Sequence, residues 1–206
     1  MADPVVLHAL APEGTVWTVG HSTLSFPAFL DTLQAHSIET VADVRRFPGS
    51  RRHPQFGAEP LRASLATHGI DYHWFSGLGG RRRPDLLDVE GSLWRHPSFR
   101  AYAQHLKSEE FAEGLEALLH VAKASRTAIM CSELLWWRCH RRLIADVMVF
   151  CGWQVIHILG ARDRSEHSLA APASVTPEGL SYGAGNDDDH AECCAPGLTP
   201  RRCCSP

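Results

Sequence analysis

The spacing of apolar positions changes repeatedly along the chain. Thr15-Val16-Trp17-Thr18-Val19-Gly20 is a short apolar, β-branched run stopped by a glycine, which predicts a first strand. Phe26, Phe29, Leu30 and Leu33 then recur at helical spacing, with Ser25 as an N-cap and Pro27 in the first turn. Ile38 to Val44 predicts a second strand, 58–68 a helix with Leu61 and Leu65 one turn apart, and Ile70 to Phe75 a third strand. A Gly- and Arg-rich loop follows, Ser76 to Pro84. Residues 97–124 are expected to be helical with a break near Lys107-Ser108, striped by Phe111, Leu115, Leu118, Leu119 and Ala122. Arg126 to Cys131 predicts a fourth strand, Arg138 to Cys151 a helix and Trp153 to Leu159 a fifth strand.

Strands separated by helices predict a single α/β domain with a mostly parallel, roughly five-stranded sheet flanked by helices. The expected domain runs over 15–164, behind an extension at 1–14. From about Ala161 the periodicity ends, and stretches such as Ala170-Ala171-Pro172 and Asp187-Asp188-Asp189 are polar or rich in breakers. Residues 165–206 are therefore expected to form a disordered, acidic, Cys-containing tail.

Composition adds bounds. A chain of 206 residues with 44% hydrophobic and 21% charged residues is an ordinary globular composition, which excludes collagen-like and wholly disordered classes. No apolar run approaches the ~18–20 residues of a membrane span. Residues 1–14 lack the basic-then-apolar order of a signal peptide, so a soluble, cytoplasmic protein with no membrane partner is expected. The formal net charge of −3 hides an uneven distribution: acids and bases balance over 1–160, and the excess of acid lies in 161–206. Within 40–83, eight Arg face only Asp43, Glu59 and Asp71. Guanidinium groups favour forked contacts with phosphate or carboxylate, although a GC-rich genome also enriches Arg. Three cysteines lie in the body (Cys131, Cys139, Cys151) and four in the tail (Cys193, Cys194, Cys203, Cys204).

In open parallel sheets, ligands bind beyond the carboxyl ends of the strands. Those ends carry His21 and Ser22 after the first strand, and Asp43, Arg45, Arg46 and Arg51 after the second. They carry Gly77, Gly79, Gly80 and Arg81 after the third, and Cys131, Ser132 and Glu133 after the fourth, followed by Arg138, Cys139, His140 and Arg141. Cys131 is a candidate nucleophile, its thiol pKa lowered by a helix N-terminus and by Arg138 or Arg141; the bland alternative is a small buried residue closing a strand. Arg138 stands seven positions after Cys131, so the Cys-x5-Arg loop of thiol phosphatases is absent. Glu133 and Asp43 are candidate general acids or bases, or salt-bridge partners. Arg45, Arg51 and Arg141 are expected to bind an anion, the last from a helix start over Cys139-His140-Arg141-Arg142. His21, Ser22, Gly79, Gly80, Cys139 and His140 complete the expected pocket.

A metal held by Cys131, Cys139 and His140 competes with this reading. No CxxC or HxxxH spacing supports it, and neighbouring residues on a helix point about 100° apart. Gly77-Leu78-Gly79-Gly80 lacks the dinucleotide-binding spacing. No metal or other cofactor is therefore expected. Trp136 and Trp137 suit either base stacking or core packing.

Taken in order, Val19-Gly20-His21-Ser22, Ala42-Asp43-Val44-Arg45 with Pro48-x-Ser50-Arg51, Phe56, Leu78-Gly79-Gly80, and Cys131-x-Glu133 with Cys139-His140-Arg141 and Ile144-Ala145 resemble domain of unknown function 488. The resemblance runs from about Thr15 to Leu159. It implies a compact α/β domain whose signature residues gather at one end of a parallel sheet, and it implies no reaction. This chain departs from the family pattern at Leu134-Leu135-Trp136-Trp137, where a more polar, often Pro-containing stretch is usual.

Three functions are expected in descending order. The first is an enzyme acting on a phosphorylated or nucleotide-like ligand, with an anionic small molecule or nucleotide as partner. The second is a nucleic-acid-binding accessory protein, which also matches the family's loose association with DNA repair; segment 45–52 and Arg81-Arg82-Arg83 would meet phosphates. The third is a cysteine-based redox or metal sensor.

Overall fold

The structure is a computed structural model that describes residues 13–49, 52–82, 93–169, 172–176 and 179–182. Six strands form one sheet in the order β3-β2-β4-β1-β5-β6. β1 (Thr15–Gly20), β2 (Thr40–Asp43), β3 (Asp71–Trp74), β4 (Thr127–Cys131) and β5 (Gln154–Ile158) run parallel, and β6 (Arg164–Glu166) pairs antiparallel with β5. Each expected strand is present: β1 keeps its expected bounds and the other four lose one or two residues at an end, as hydrogen bonding narrows what apolar pattern alone suggests.

The helices are α1 (Phe26–Ala35), α2 (Ala58–Ala66), α3 (Pro97–His105), α4 (Glu109–Ala124) and α5 (Arg141–Phe150). Ser25 caps α1 by accepting from the Ala28 N–H, and Ser108 caps α4 by accepting from the Phe111 N–H. Those caps explain why the chain re-enters helix where it does. α5 begins three residues later than expected, because Trp136–Arg138 forms a separate 3₁₀ turn and Cys139 is extended.

The two faces of the sheet hold separate cores. Phe29, Leu30 and Leu33 of α1 and Leu61 and Leu65 of α2 pack on Trp17, Val19, Val41, Ala128 and Met130. On the other face Phe111, Leu115 and Leu118 of α4 and Leu143, Ile144 and Met148 of α5 pack on Val16, Ala42, Ile129 and Val155. The alternation along β1, β2 and β4 supplies both faces, as a doubly covered parallel sheet requires. Connections leading from β1 and β2 toward one edge therefore use one face, and those returning through β4 to β5 use the other. β1 and β4 are adjacent strands whose following segments diverge, which opens a crevice at their carboxyl ends.

The chain keeps its structure beyond the expected start of the tail at 165. β6 extends the sheet, and β7 (Ser174–Thr176) with β8 (Gly179–Ser181) forms a hairpin. His167 and Tyr182 are buried, donating to Asp146 Oδ1 at 2.8 Å and Oδ2 at 2.9 Å respectively. Two anchoring side chains in a polar segment leave no periodic signal, so tertiary contact prevails over composition here. The four tail cysteines and the extension through residue 12 lie outside the described residues. Among the described residues, no helix is long and apolar enough to cross a membrane.

Candidate functional site

A cavity of about 660 Å³ fills the crevice beyond β1, β2 and β4, and it brings residues from four strand ends together. The register sets Gly20 opposite Cys131, and Asp43 opposite Met130. The main chain crosses closely here. A Cβ on Gly20 would lie 2.0 Å from the Glu133 carbonyl oxygen, so only glycine lets the segment after β4 pass over the end of β1. In the 79–80 loop, a Cβ on Gly79 would meet Arg46 Cα at 2.6 Å and one on Gly80 would meet His140 Nδ1 at 2.7 Å. Ser22 and Arg81, both lining the cavity, adopt φ of 45° and 58°, a left-handed conformation uncommon outside glycine; Ser37, just after α1 and not at the cavity, shares it at 52°.

His21 is buried and stacks on Phe56 with ring centroids 4.1 Å apart. Its Nδ1 lies 3.0 Å from the Ser22 carbonyl, which only accepts, so Nδ1 carries the proton. Nε2 is left to accept from Arg45 Nη1 at 3.3 Å. Burial, reinforced by the Arg45 charge, lowers the His21 pKa to about 4, so the ring is neutral at pH 7.

Asp43 is placed as an anchor for Arg45. Arg45 Nε lies 2.8 and 3.0 Å from its two carboxylate oxygens, the Arg45 backbone N–H donates to Oδ1, and Tyr72 donates its hydroxyl to Oδ2 at 2.6 Å. With 0% exposure and both oxygens occupied, the carboxylate has no free edge toward the cavity for proton transfer. Arg45 itself lines the cavity.

Arg141 is not where the helix-start argument put it. It is 1% exposed, and its guanidinium donates to the carbonyls of Glu133 and Leu134 and, at 3.4 Å, to Thr18 Oγ1. An arginine one residue into α5 points inward, where it holds the β4–α5 segment rather than an exogenous anion. Arg51 lies outside the described residues. Three other arginines line the cavity: Arg46, Arg81 and Arg138. None of the three has a carboxylate partner among the described residues. Arg82, by contrast, is tied to Glu110 and to the carbonyls of Gly77 and Gly79. The signal for Arg46 and Arg81 was present in the basic local excess; Arg138 was visible only as a neighbour of Cys131.

Cys131, Cys139 and His140 meet at the cavity's inner wall, with Sγ, Sγ and a ring nitrogen all within 4.8 Å of one another. Adjacent residues converge because Cys139 is extended and precedes the helix, so the helical 100° separation does not apply. The neighbouring Cys139 thiol and burial push the Cys131 thiol up, opposite to the lowered pKa expected for it. Cys131 lies at a strand end with no helix N-terminus beside it to stabilise a thiolate. His140 Nε2 donates to the Val44 carbonyl at 3.0 Å, and Tyr102, fully buried and bonded through its hydroxyl to the Leu78 carbonyl, packs its ring 5.0 Å from the imidazole. Sequence reasoning passed over Tyr102, which sits inside an apolar helix stripe.

The Glu133 side chain is exposed on the cavity wall and forms no ion pair among the described residues. Ser132 Oγ lies 3.9 Å from Cys131 Sγ. Of the tryptophan pair, Trp136 is structural, stacked at 3.9 Å on His157, while Trp137 is exposed at the cavity. His157 belongs to a directional chain. Asp146 accepts from His167 Nε2, His167 Nδ1 from His157 Nε2 (3.0 Å), His157 Nδ1 from Thr18 (2.7 Å), and Thr18 from Arg141. This order needs both rings neutral, and burial lowers the His157 pKa accordingly.

The family described as Domain of unknown function DUF488 matches residues 25–148. No curated protein and no solved structure matches the chain.

Proposed function

The chain belongs to the DUF488 family, and we propose that it is an enzyme acting on a phosphorylated or nucleotide-like small molecule in the cavity at the strand ends. The observation that carries this reading is the pairing of chemistries in one pocket. Arg46, Arg81 and Arg138 line it without a carboxylate partner among the described residues, above a wall formed by Cys131, Cys139 and His140. Unpaired guanidinium groups suit a multiply charged anion. Glu133 is the acid or base available to move a proton at the mouth, and the thiol–imidazole cluster is the reactive centre. A second cavity of about 680 Å³ shares Arg46, Phe47 and Arg81 with the first, which suits a ligand longer than inorganic phosphate.

Calorimetry with nucleoside phosphates, sugar phosphates and their dephosphorylated counterparts tests this. Binding is expected only for phosphorylated compounds, weaker by about tenfold or more in Arg138→Ser or Arg81→Ser, in line with ~1.5–3 kcal/mol for a charged hydrogen bond. Glu133→Gln is expected to keep binding and lose turnover. Equal binding of phosphorylated and dephosphorylated ligands would remove the anion reading. Salt-sensitive DNA binding, lost with the same arginines, would favour a nucleic-acid partner instead.

A further inference from the structure

We infer that Cys131, Cys139 and His140 form a three-ligand site for a zinc-class divalent ion, with the fourth coordination position open to the cavity. The inference specifies what the reactive cluster of the preceding reading contains, and rests on that reading only for the use made of the open position. The first ground is the donor set itself. Two sulfurs and one imidazole nitrogen lie within 4.8 Å of one another. Ligand atoms around tetrahedral zinc stand ~3.4–3.8 Å apart, given Zn–S of ~2.3 Å and Zn–N of ~2.0 Å, so small side-chain rotations complete the site. Two soft sulfurs with one borderline nitrogen select zinc over magnesium or calcium.

The second ground is independent of proximity. His140 Nε2 points at the Val44 carbonyl at 3.0 Å, and a carbonyl only accepts, so Nε2 carries the ring proton. The lone pair is thereby fixed on Nδ1, the nitrogen that lies 3.5 Å from Cys139 Sγ. This is the outer-shell arrangement that orients metal-binding histidines and sets their tautomer. Tyr102 packs against the ring, and the missing Cβ of Gly80 leaves room beside Nδ1.

The third ground is access. Cys131 and Cys139 are 7% and 5% exposed, yet both line the cavity together with His140. Ser132 and Glu133 flank the opening without completing a fourth ligand within the same cluster. Closed structural zinc sites use four protein ligands, whereas three with an open position mark sites that bind water or substrate. On binding, both sulfurs coordinate as thiolates and their protons pass to solvent; no redox change occurs. An ion there would face the phosphate-binding arginines across the cavity.

The test uses full-length protein in which Cys193, Cys194, Cys203 and Cys204 are replaced by Ser, so that tail thiols contribute nothing. Reduced apoprotein is titrated with Co²⁺ and then with Zn²⁺, in the absence of any anionic ligand. One equivalent of Co²⁺ should produce thiolate-to-metal charge-transfer absorption and tetrahedral visible bands, both abolished by one equivalent of Zn²⁺. Cys139→Ser should lower the charge-transfer intensity per bound cobalt, because Cys131 alone then supplies a thiolate. His140→Gln should weaken zinc at least tenfold in competition with a chromophoric chelator. Absence of charge-transfer absorption, or zinc affinity unchanged in His140→Gln, would overturn the site. So would a Cys131–Cys139 disulfide that, after reduction, still takes up no metal; that outcome would point to a redox pair. Metal uptake is read without phosphorylated ligand, and anion binding is read in the arginine variants, so each reading fails on its own measurement.

Discussion

Asp43 and Arg45, two residues apart at the end of β2, face each other as a buried two-point ion pair, with Arg45 Nε 2.8 and 3.0 Å from the carboxylate oxygens. Their exposures are 0% and 7%, so neither charge has water to fall back on. Asp43→Asn leaves the Arg45 charge without its partner, and removing one side of a buried pair costs about 3–5 kcal/mol. Tyr72→Phe, which deletes one hydrogen bond to the same carboxylate, is expected to cost about 1.5–3 kcal/mol. Urea denaturation checks both. A loss below about 1 kcal/mol in Asp43→Asn would mean that Arg45 is held by something else.

Acid should destabilise the protein early. In the unfolded chain His21 and His157 titrate near 6.5, whereas the folded His21 takes a proton only near pH 4 and His157 still lower. Below pH 6.5 the unfolded state binds more protons, so the stability that these neutral rings contribute is present above that pH and declines as pH falls. The slope is at most about 1.4 kcal/mol per pH unit for each ring. Thermal melts at pH 7, 6 and 5 should show a falling Tm, and a level Tm across that interval would contradict the buried neutral assignment.

Gly20→Ala places a methyl 2.0 Å from the Glu133 oxygen and 2.6 Å from its carbonyl carbon, both main-chain atoms that cannot swing aside. Overpacking of this kind costs about 1–3 kcal/mol, and the shifted segment carries Glu133 and the carbonyls that Arg141 holds. Ligand binding should fall together with stability. Gly160→Ala meets nothing within 4 Å and serves as the control, expected within about 0.5 kcal/mol of the parent.

His167→Ala removes the middle of the chain from Asp146 to Thr18, leaving His157 Nε2 and Asp146 Oδ1 unpaired in the interior. Unsatisfied buried polar groups cost about 1–3 kcal/mol each, so a total loss of about 2–6 kcal/mol is expected from denaturant midpoints. Hydrogen exchange should also quicken over residues 133–138, because Thr18 and Arg141 connect the network to that segment. Unchanged exchange there would show that the network is purely local.

The strands and helices of residues 15–159 were legible because each buries a face whose period the sequence displays. The gathering of His21, Arg45, Gly80, Cys131, Cys139 and His140 at one cavity was legible too, since parallel strands bring their carboxyl ends together, whereas Gly79 does not line it. What each side chain does there was not. Asp43 and Arg141 carry charges that read as functional, yet Asp43 is taken up by Arg45 and Tyr72, and Arg141 by the main-chain carbonyls of Glu133 and Leu134. The meeting of Cys139 with His140 turned on one extended residue before α5, a boundary that periodicity does not resolve. The anchoring of His167 and Tyr182 depends on a single aspartate of α5 and has no local pattern.

The place of β4 between β1 and β2 also governs how the protein is made. During synthesis the first two strands leave the ribosome well before residues 127–131 exist, so they cannot pair with each other in the native order. Until β4 arrives, both hold an open edge in a sheet with no centre. Contacts so distant in sequence form slowly. His21, Arg45 and Cys131 thus become neighbours late, when most of the chain has emerged, and a nascent chain stalled before residue 127 has the scaffold's outer parts without any pocket at all.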